Sequence, residues 1–263
     1  SFRRICKNYG ADVVYTEFVA SEAIIRNVAR SIDKMKIEDQ ERPVGIQLYG
    51  HDIAPMVEAA RVAQEMQPDL IDLNFGCPVR KIANRGAGAG MMRDVPKLIE
   101  MTRQIASAVN VPVTVKTRLG WDEHSKNIEE IAERLQDTGI QALTVHGRTR
   151  AQLYRGHSDW ELIGKLKQNP RITYPIIGNG DIDSGPKAHE YLQRYGVDGL
   201  MIGRASIGRP WIFGQVKHFL KHGKELPPPA LAERVALAKT HFTESLRTKG
   251  HPRGVYEMRR HFI

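Results

Sequence analysis

The sequence predicts an α/β protein of the TIM (β/α)8-barrel type, and three observations carry that reading. Short apolar, β-branched runs recur along the 263 residues, most of them bounded by turn residues. Segments with helical spacing lie between the runs. The strand-plus-helix unit returns about every 25 to 40 residues, which suits a barrel better than a small open sheet. The runs show no clean alternation of the half-exposed kind, so a parallel sheet covered on its outer face is expected.

In order, a helix-like segment at 2–9 (apolar Phe2, Ile5, Cys6, Tyr9) precedes a first strand at 11–18. Further strands are predicted at 43–49, 70–75, 111–117, 142–145, 174–177 and 199–202. Helices are predicted between them at 53–66, 95–109, 125–137, 160–167 and 185–195. A closed barrel of this type has eight strands and seven are found, so one strand is expected to precede the sequence. After a segment at 208–221, Pro227, Pro228 and Pro229 form a stiff linker. A helix at 230–248 follows, with a stripe of Leu231, Val235, Ala238, Phe242 and Leu246. The expected division is a barrel domain over 1–222, truncated at its start, and the beginning of a helical domain over 223–263.

Composition narrows the class. With 41% hydrophobic and 26% charged residues the chain is an ordinary globular one, which excludes collagen-like, low-complexity and wholly disordered proteins. No stretch approaches the roughly 18 apolar residues of a membrane helix, and no signal core follows the N-terminus, so the reading is cytoplasmic, without a membrane partner. Cys6 and Cys77 are too few for a disulfide framework, and Cys6 is expected to be a small buried hydrophobe. The net charge is +9, and residues 211–263 carry ten Lys and Arg against four Glu, a net of +6. That concentration points to an anionic polymer, nucleic acid ahead of an acidic membrane, with a solvated helix face as the alternative.

Chemistry in such barrels gathers at the C-terminal ends of the strands. Polar residues stand at those ends in turn: Gln47; Asn74 and Cys77; Lys116 and Arg118; His146 and Arg148; Asn179 and Asp181; Arg204. Strand-end capping accounts for one or two of these, not for six strands. The segments Gly178-Asn179-Gly180-Asp181 and Gly203-Arg204-Ala205-Ser206 follow the last two strands, where barrels of this kind hold a phosphate with loop N–H groups. A phosphorylated cofactor is therefore expected, with Arg204 reinforcing the phosphate. The glycines at 86, 88 and 90 match neither a dinucleotide fingerprint nor a P-loop, and are read as a flexible loop over the site. Cys77, between Gly76 and Pro78, is the candidate reactive group and is expected to face the cleft. No His and Cys spacing supports a metal centre, and zinc deamination is disfavoured.

Five motifs in order, Asn74-Phe-Gly-Cys77-Pro78, Val115-Lys116-Thr-Arg118-Leu-Gly-Trp121, His146-Gly-Arg148-Thr-Arg150-Ala-Gln152-Leu-Tyr154-Arg-Gly156, Asp159-Trp160 and Gly178-Asn-Gly-Asp-Ile182, resemble the tRNA-dihydrouridine synthase family, most closely its bacterial B type. The resemblance covers essentially the whole chain. It implies an FMN-containing TIM barrel followed by a helical tRNA-binding domain, with NADPH as reductant. It also implies that Gln47, Lys116 and His146 contact the flavin and that Asn179, Gly180, Asp181, Gly203 and Arg204 hold its phosphate. Cys77 is implied as the proton donor. Family members begin with a strand that helps seat the flavin and end with a longer helical domain, so the chain is expected to lack that strand and the end of that domain.

On this reading hydride goes to C6 of uridine from reduced FMN and the proton to C5 from Cys77, whose thiol is largely protonated at neutral pH. Lys116 stabilises the reduced flavin, or else pairs with Asp72 or Asp181. Asn74, Arg118, Arg148 and Arg150 read the extruded base or grip its neighbours, and Arg80, Lys81 and Arg85 follow the RNA backbone. The partner is tRNA, and no stable protein partner is expected. Two other functions compete: a flavin barrel acting on a free pyrimidine, resembling dihydroorotate dehydrogenases, and a non-catalytic tRNA-binding fragment.

Overall fold

A computed structural model describes residues 1–262. Ile263, the last residue of the expected helical domain, lies outside them. Eight strands form one parallel sheet: β1 (Val14–Tyr15), β2 (Val19–Ala20), β3 (Val44–Tyr49), β4 (Leu70–Asn74), β5 (Val113–Arg118), β6 (Ala142–His146), β7 (Ile176–Asn179) and β8 (Gly199–Met201). The order runs β1-β3-β4-β5-β6-β7-β8, and β2 also pairs with β3. The strand expected at 11–18 is thus realised as two short pieces beside β3. From β3 to β8 successive strands are parallel neighbours joined by helical crossovers, and this is the TIM-barrel arrangement.

The crossover helices are α4 (Ile53–Glu65), α6 (Val95–Ala108), α7 (Ile128–Leu135), α8 (Glu161–Gln168) and α9 (Gly185–Tyr195), close to the predicted spans. Four short helices among the described residues escaped the sequence reading: α2 (Ser21–Ile25), α3 (Ala29–Met35), α5 (Arg80–Ala83) and α12 (Arg253–Met258). Each has fewer than two turns, too short to display a hydrophobic period. Helix α4 buries Met56, Ala59, Ala60 and Ala63, one face at helical spacing whose small residues permit close approach to its neighbours. Asp94 starts α6: its Oδ1 accepts the Lys97 N–H at 3.1 Å, with a proline in the first turn. At β7, Gly178 is required by a close approach. A Cβ there would lie 2.1 Å from the Trp160 ring, which packs on Tyr191 and Tyr195 and donates its N–H to the Gly180 carbonyl at 3.1 Å.

The chain divides into two compact units, Tyr15–Asp181 with Tyr191–Met201, and Ser1–Val14 with Ile182–Glu190 and Ile202–Ile263. The first holds β2 to β8. The second joins α1 (Phe2–Asn8) to α10 (Ile212–His222), α11 (Leu231–Lys249) and α12 (Arg253–Met258). Phe2 sits against the rings of His241 and His261, and Arg4 pairs with Glu244 at 3.0 Å. The stripe predicted on α11 is not its buried face: Leu231 is 68% and Val235 43% exposed, whereas His241 and Ser245 are buried. Small residues decide this, since Gly254 of α12 lies over the Ser245 carbonyl and Ser245 Oγ donates to the Gly254 carbonyl at 3.1 Å. No helix among the described residues is long and apolar enough to cross a membrane.

Candidate active site

Cross-strand register places the polar residues on one face. Gln47 pairs with Asp72 and Asp72 with Thr114; Asn74 pairs with Lys116 and Lys116 with Thr144; Arg118 pairs with His146 and His146 with Asn179. Because side chains alternate along a strand, all of these share a face, and Ile46, Leu48, Ile71, Leu73, Val113, Val115, Leu143 and Val145 occupy the other. Those alternate residues are at most 2% exposed. The runs therefore do alternate, contrary to the expectation from sequence. What hid the pattern is that both faces are buried, so polar residues there mark a lined interior and not a wet surface.

A continuous hydrogen-bond chain crosses that interior. Thr114 Oγ1 donates to Asp72 Oδ1 at 2.6 Å and Gln47 Nε2 donates to Asp72 Oδ2 at 2.7 Å. Asn74 Nδ2 donates to Gln47 Oε1 at 2.8 Å, and Asn74 Oδ1 accepts the backbone N–H groups of Gly76 at 3.1 Å and Cys77 at 2.9 Å. Asn74 is thus tied to the loop that carries Cys77. That thiol is 6% exposed, more enclosed than its place between glycine and proline suggested. Burial pushes its pKa up, against the opposing pull of a Val79 hydrogen bond and of the Arg118 and Lys116 charges.

The glycine-rich segment beneath Cys77 is not a flexible loop. Gly88–Arg93 is a 3-10 helix whose first five residues are buried, and the Ala89 N–H donates to the Cys77 carbonyl at 3.1 Å. Gly88 has φ +54, and a Cβ there would lie 2.9 Å from that of Cys77. Glycine here lets the backbone pass directly under the thiol.

Lys116, on the same face, is pulled down to about 8 by burial and by the Arg118 guanidinium, against Asp72 and Cys77, which raise it. Asp181 does not pair with it. Both Asp181 oxygens take Arg148 Nη2, at 2.8 and 2.7 Å, and Oδ2 also accepts the Ser158 N–H at 2.8 Å. Desolvation acts to raise the Asp181 carboxyl, and these partners outweigh it to hold the pKa below the ordinary value.

Arg118 and Arg148, each 2% exposed, stitch loops together. Arg118 donates to the carbonyls of Gly76, Thr149 and Leu153 at 2.8 to 3.0 Å. Arg148 donates to those of Arg155 and Gly156, and its Nη1 lies 3.3 Å from His146 Nε2. Arg150 lies with its guanidinium 4.3 Å from the Trp121 ring centroid, and Arg93 packs on the same ring at 4.8 Å. The Arg150 Nε is buried with no acceptor among the described residues. Arg80, Lys81 and Arg85 are exposed just beyond Cys77.

Of the expected phosphate segments, Gly180 (φ +126) and Asp181 (φ +55) form a left-handed turn after β7, and Asn179 Nδ2 donates to the Met201 carbonyl at 2.6 Å. Gly203 and Arg204, in the other compact unit, are exposed at the start of a short 3-10 helix. Sequence reasoning missed Asp72 as the root of the interior chain and the 88–93 segment as the support of Cys77. The alternation Ile71, Asp72, Leu73, Asn74 was the signal for the first.

A family model described as dihydrouridine synthase matches residues 1–263. A probable tRNA-dihydrouridine synthase of Rickettsia prowazekii (strain Madrid E) is 39% identical over 263 residues, 100% of this chain and 80% of that one. A tRNA-dihydrouridine synthase B of Pseudomonas aeruginosa is 39% identical over 260 residues, 99% of this chain and 78% of that one. Among solved structures, histamine dehydrogenase from Rhizobium sp. 4-9 superposes with a TM-score of 0.61 at 14% identity, over 83% of this chain and 43% of that one. The 6-hydroxypseudooxynicotine amine oxidase of Pseudomonas geniculata N1 does so with a TM-score of 0.64 at 14% identity, over 84% and 44%. These last two similarities concern the fold alone.

Proposed function

This chain belongs to the dihydrouridine synthase family, and from that membership we propose that it reduces the C5=C6 bond of uridine in tRNA to dihydrouridine, with FMN as cofactor and NADPH as reductant. The donor set on the interior face fits a flavin. Gln47 on β3, Lys116 on β5 and His146 on β6 offer an amide, a cation and an imidazole from one face of the sheet, against the carbonyl and nitrogen edge of a planar heteroaromatic ring. Asn179, Gly180 and Asp181, at the end of β7, are assigned to the ribityl phosphate. The Asp181 carboxylate has its charge offset by Arg148, which lessens its repulsion of an anion. When bound, FMN supplies the hydride that adds to C6.

The observation that carries the chemical assignment is a buried thiol within the influence of two cationic side chains, Arg118 and Lys116. Burial keeps Cys77 in its S–H form at neutral pH, as a proton donor to C5 must be. The thiolate left behind forms within the influence of Lys116 and Arg118, whose charges favour it, and it regains its proton from solvent before the next turnover.

Uridine must leave its stack to reach this thiol, at a cost of a few kcal/mol. Asn74 flanks the Cys77 backbone, Arg118 and Arg148 shape the surrounding loops, and Arg150, stacked on Trp121 and donating to Asn84 Oδ1 at 3.3 Å, is assigned to the neighbouring nucleotides. The basic residues of 223–263 are assigned to the tRNA, and 1–222 to cofactor and chemistry. Cys77→Ala should leave anaerobic bleaching of the flavin by NADPH intact and lower dihydrouridine formation by about 10²- to 10⁴-fold. Normal turnover in that variant would remove the thiol from the reaction.

A further inference from the structure

Asp72 is wholly enclosed and has no part in the reaction as proposed. Its two oxygens are nevertheless the fixed end of the interior chain, taking Thr114 Oγ1 at 2.6 Å and Gln47 Nε2 at 2.7 Å. Burial pushes the Asp72 pKa up, opposed by the Thr114 and Gln47 hydrogen bonds and the Lys116 charge. Both oxygens are placed as acceptors, and in its ionised form the carboxylate only accepts, so Gln47 turns its NH2 group toward Asp72 and its carbonyl toward Asn74. Asn74 then donates to that carbonyl at 2.8 Å and must turn its own oxygen to the N–H groups of Gly76 and Cys77, which only donate. The chain runs from an acceptor-only end to a donor-only end, and the two amides between have one consistent sense.

We infer that Asp72 is a positioning residue: by fixing the sense of the Gln47 and Asn74 amides it holds the backbone of Cys77, and with it the thiol, in one place. An asparagine at 72 has the same shape but presents oxygen or N–H equally well. The amides beyond it lose their fixed sense, and an inverted Asn74 aims N–H at N–H and releases the loop. The inference rests on Cys77 as the proton donor.

The test uses the full chain carrying flavin and the variant Asp72→Asn. Reoxidation by unmodified tRNA should slow by about 10²-fold, the loss expected when a reacting group is misplaced, well beyond the fall in flavin content and in anaerobic bleaching by NADPH that follows from the loosened Gln47 amide. In flavin-free protein, iodoacetamide labelling of Cys77, read by peptide mass spectrometry, should accelerate about tenfold as the loop opens locally. Asn74→Ala should show the same pattern, and the double variant should be no worse than Asn74→Ala alone, because residues in one chain do not add. Thr114→Val, which keeps the carboxylate and removes one donor, should shift both readouts less and in the same direction, and it decides the question if Asp72→Asn does not fold.

Wild-type reoxidation and labelling in Asp72→Asn would overturn the inference. So would equal losses of flavin binding, bleaching and reoxidation, which mark a general structural defect, or strict additivity with Asn74→Ala. If Cys77→Ala turns over normally, the proton-donor reading fails by itself, and the labelling rates still report whether Asp72 holds the loop.

Discussion

The interior face of the sheet and the helical unit both bury polar groups, but they do so in opposite ways. On the sheet, Asp72, Gln47, Asn74, Arg118 and Arg148 are each joined to partners by short hydrogen bonds, and the Arg148–Asp181 pair is held charged, with the Asp181 carboxyl below its ordinary pKa. In the helical unit His241 and His261 pack against each other and Phe2, and burial lowers both to about 4, so they are neutral in the folded state. The first arrangement builds electrostatics into the barrel, and the second removes charge so that helices can pack. Function follows the retained charge, because a proton donor and a cation at fixed positions can act on a substrate, whereas a neutral stacked pair only fills space.

The contrast can be sharpened by removing charge where it is retained. Arg148→Ala leaves the Asp181 carboxylate without its bidentate partner and should cost about 3 kcal/mol in urea unfolding, as breaking a buried pair does. An effect below about 0.5 kcal/mol would put this pair with exposed ones. Lys116 is next: with its pKa at about 8, the rate should fall as pH rises through that value and the ammonium is lost. Lys116→Met should abolish this alkaline limb and lower the rate by about tenfold or more. A variant that keeps the wild-type profile would show that another group titrates.

The smallest effect belongs to the histidines. Their folded pKa of about 4 lies below the unfolded value of about 6.5, so the unfolded chain binds more protons between these values. Their contribution is complete above pH 6.5 and lost as pH falls toward 4. The loss should come to about 2 kcal/mol for the pair after discounting for solvent at half-buried His261. His241→Phe should flatten it. Hydrogen exchange followed from pH 7 to 4.5 should show the helical unit loosening before the sheet, and simultaneous loss would erase the distinction.

The same contrast explains what was legible in the sequence. Strands and crossover helices could be placed closely because β-branched runs and helical periods are local signals. Gln47, Asn74, Lys116, His146 and Asn179 could be found because polar residues at strand ends are conspicuous in an apolar setting. Asp72 was considered only as a partner for Lys116 because it lies inside the strand, and its importance comes from Thr114 and Gln47 on neighbouring strands, 42 and 25 residues away. The support from Gly88 could not be read either, since glycine at 86, 88 and 90 looks the same whether the backbone is loose or closely packed. On α11 the apolar stripe misled because the buried face is chosen by Ser245 and Gly254, two small residues in different helices. The roles of Arg118 and Arg148 as ties between loops depend on carbonyl positions that no spacing encodes.

If the polar interior face holds a flavin whose electrons pass to uridine in tRNA, the visible spectrum of the purified protein with FMN will show it, taken anaerobically through addition of NADPH and then of unmodified tRNA. The expected result is a bound yellow flavin that NADPH bleaches and tRNA reoxidises, with dihydrouridine in the recovered RNA. A protein that does not retain FMN when it is supplied, or a bleached flavin that tRNA leaves reduced, would contradict it.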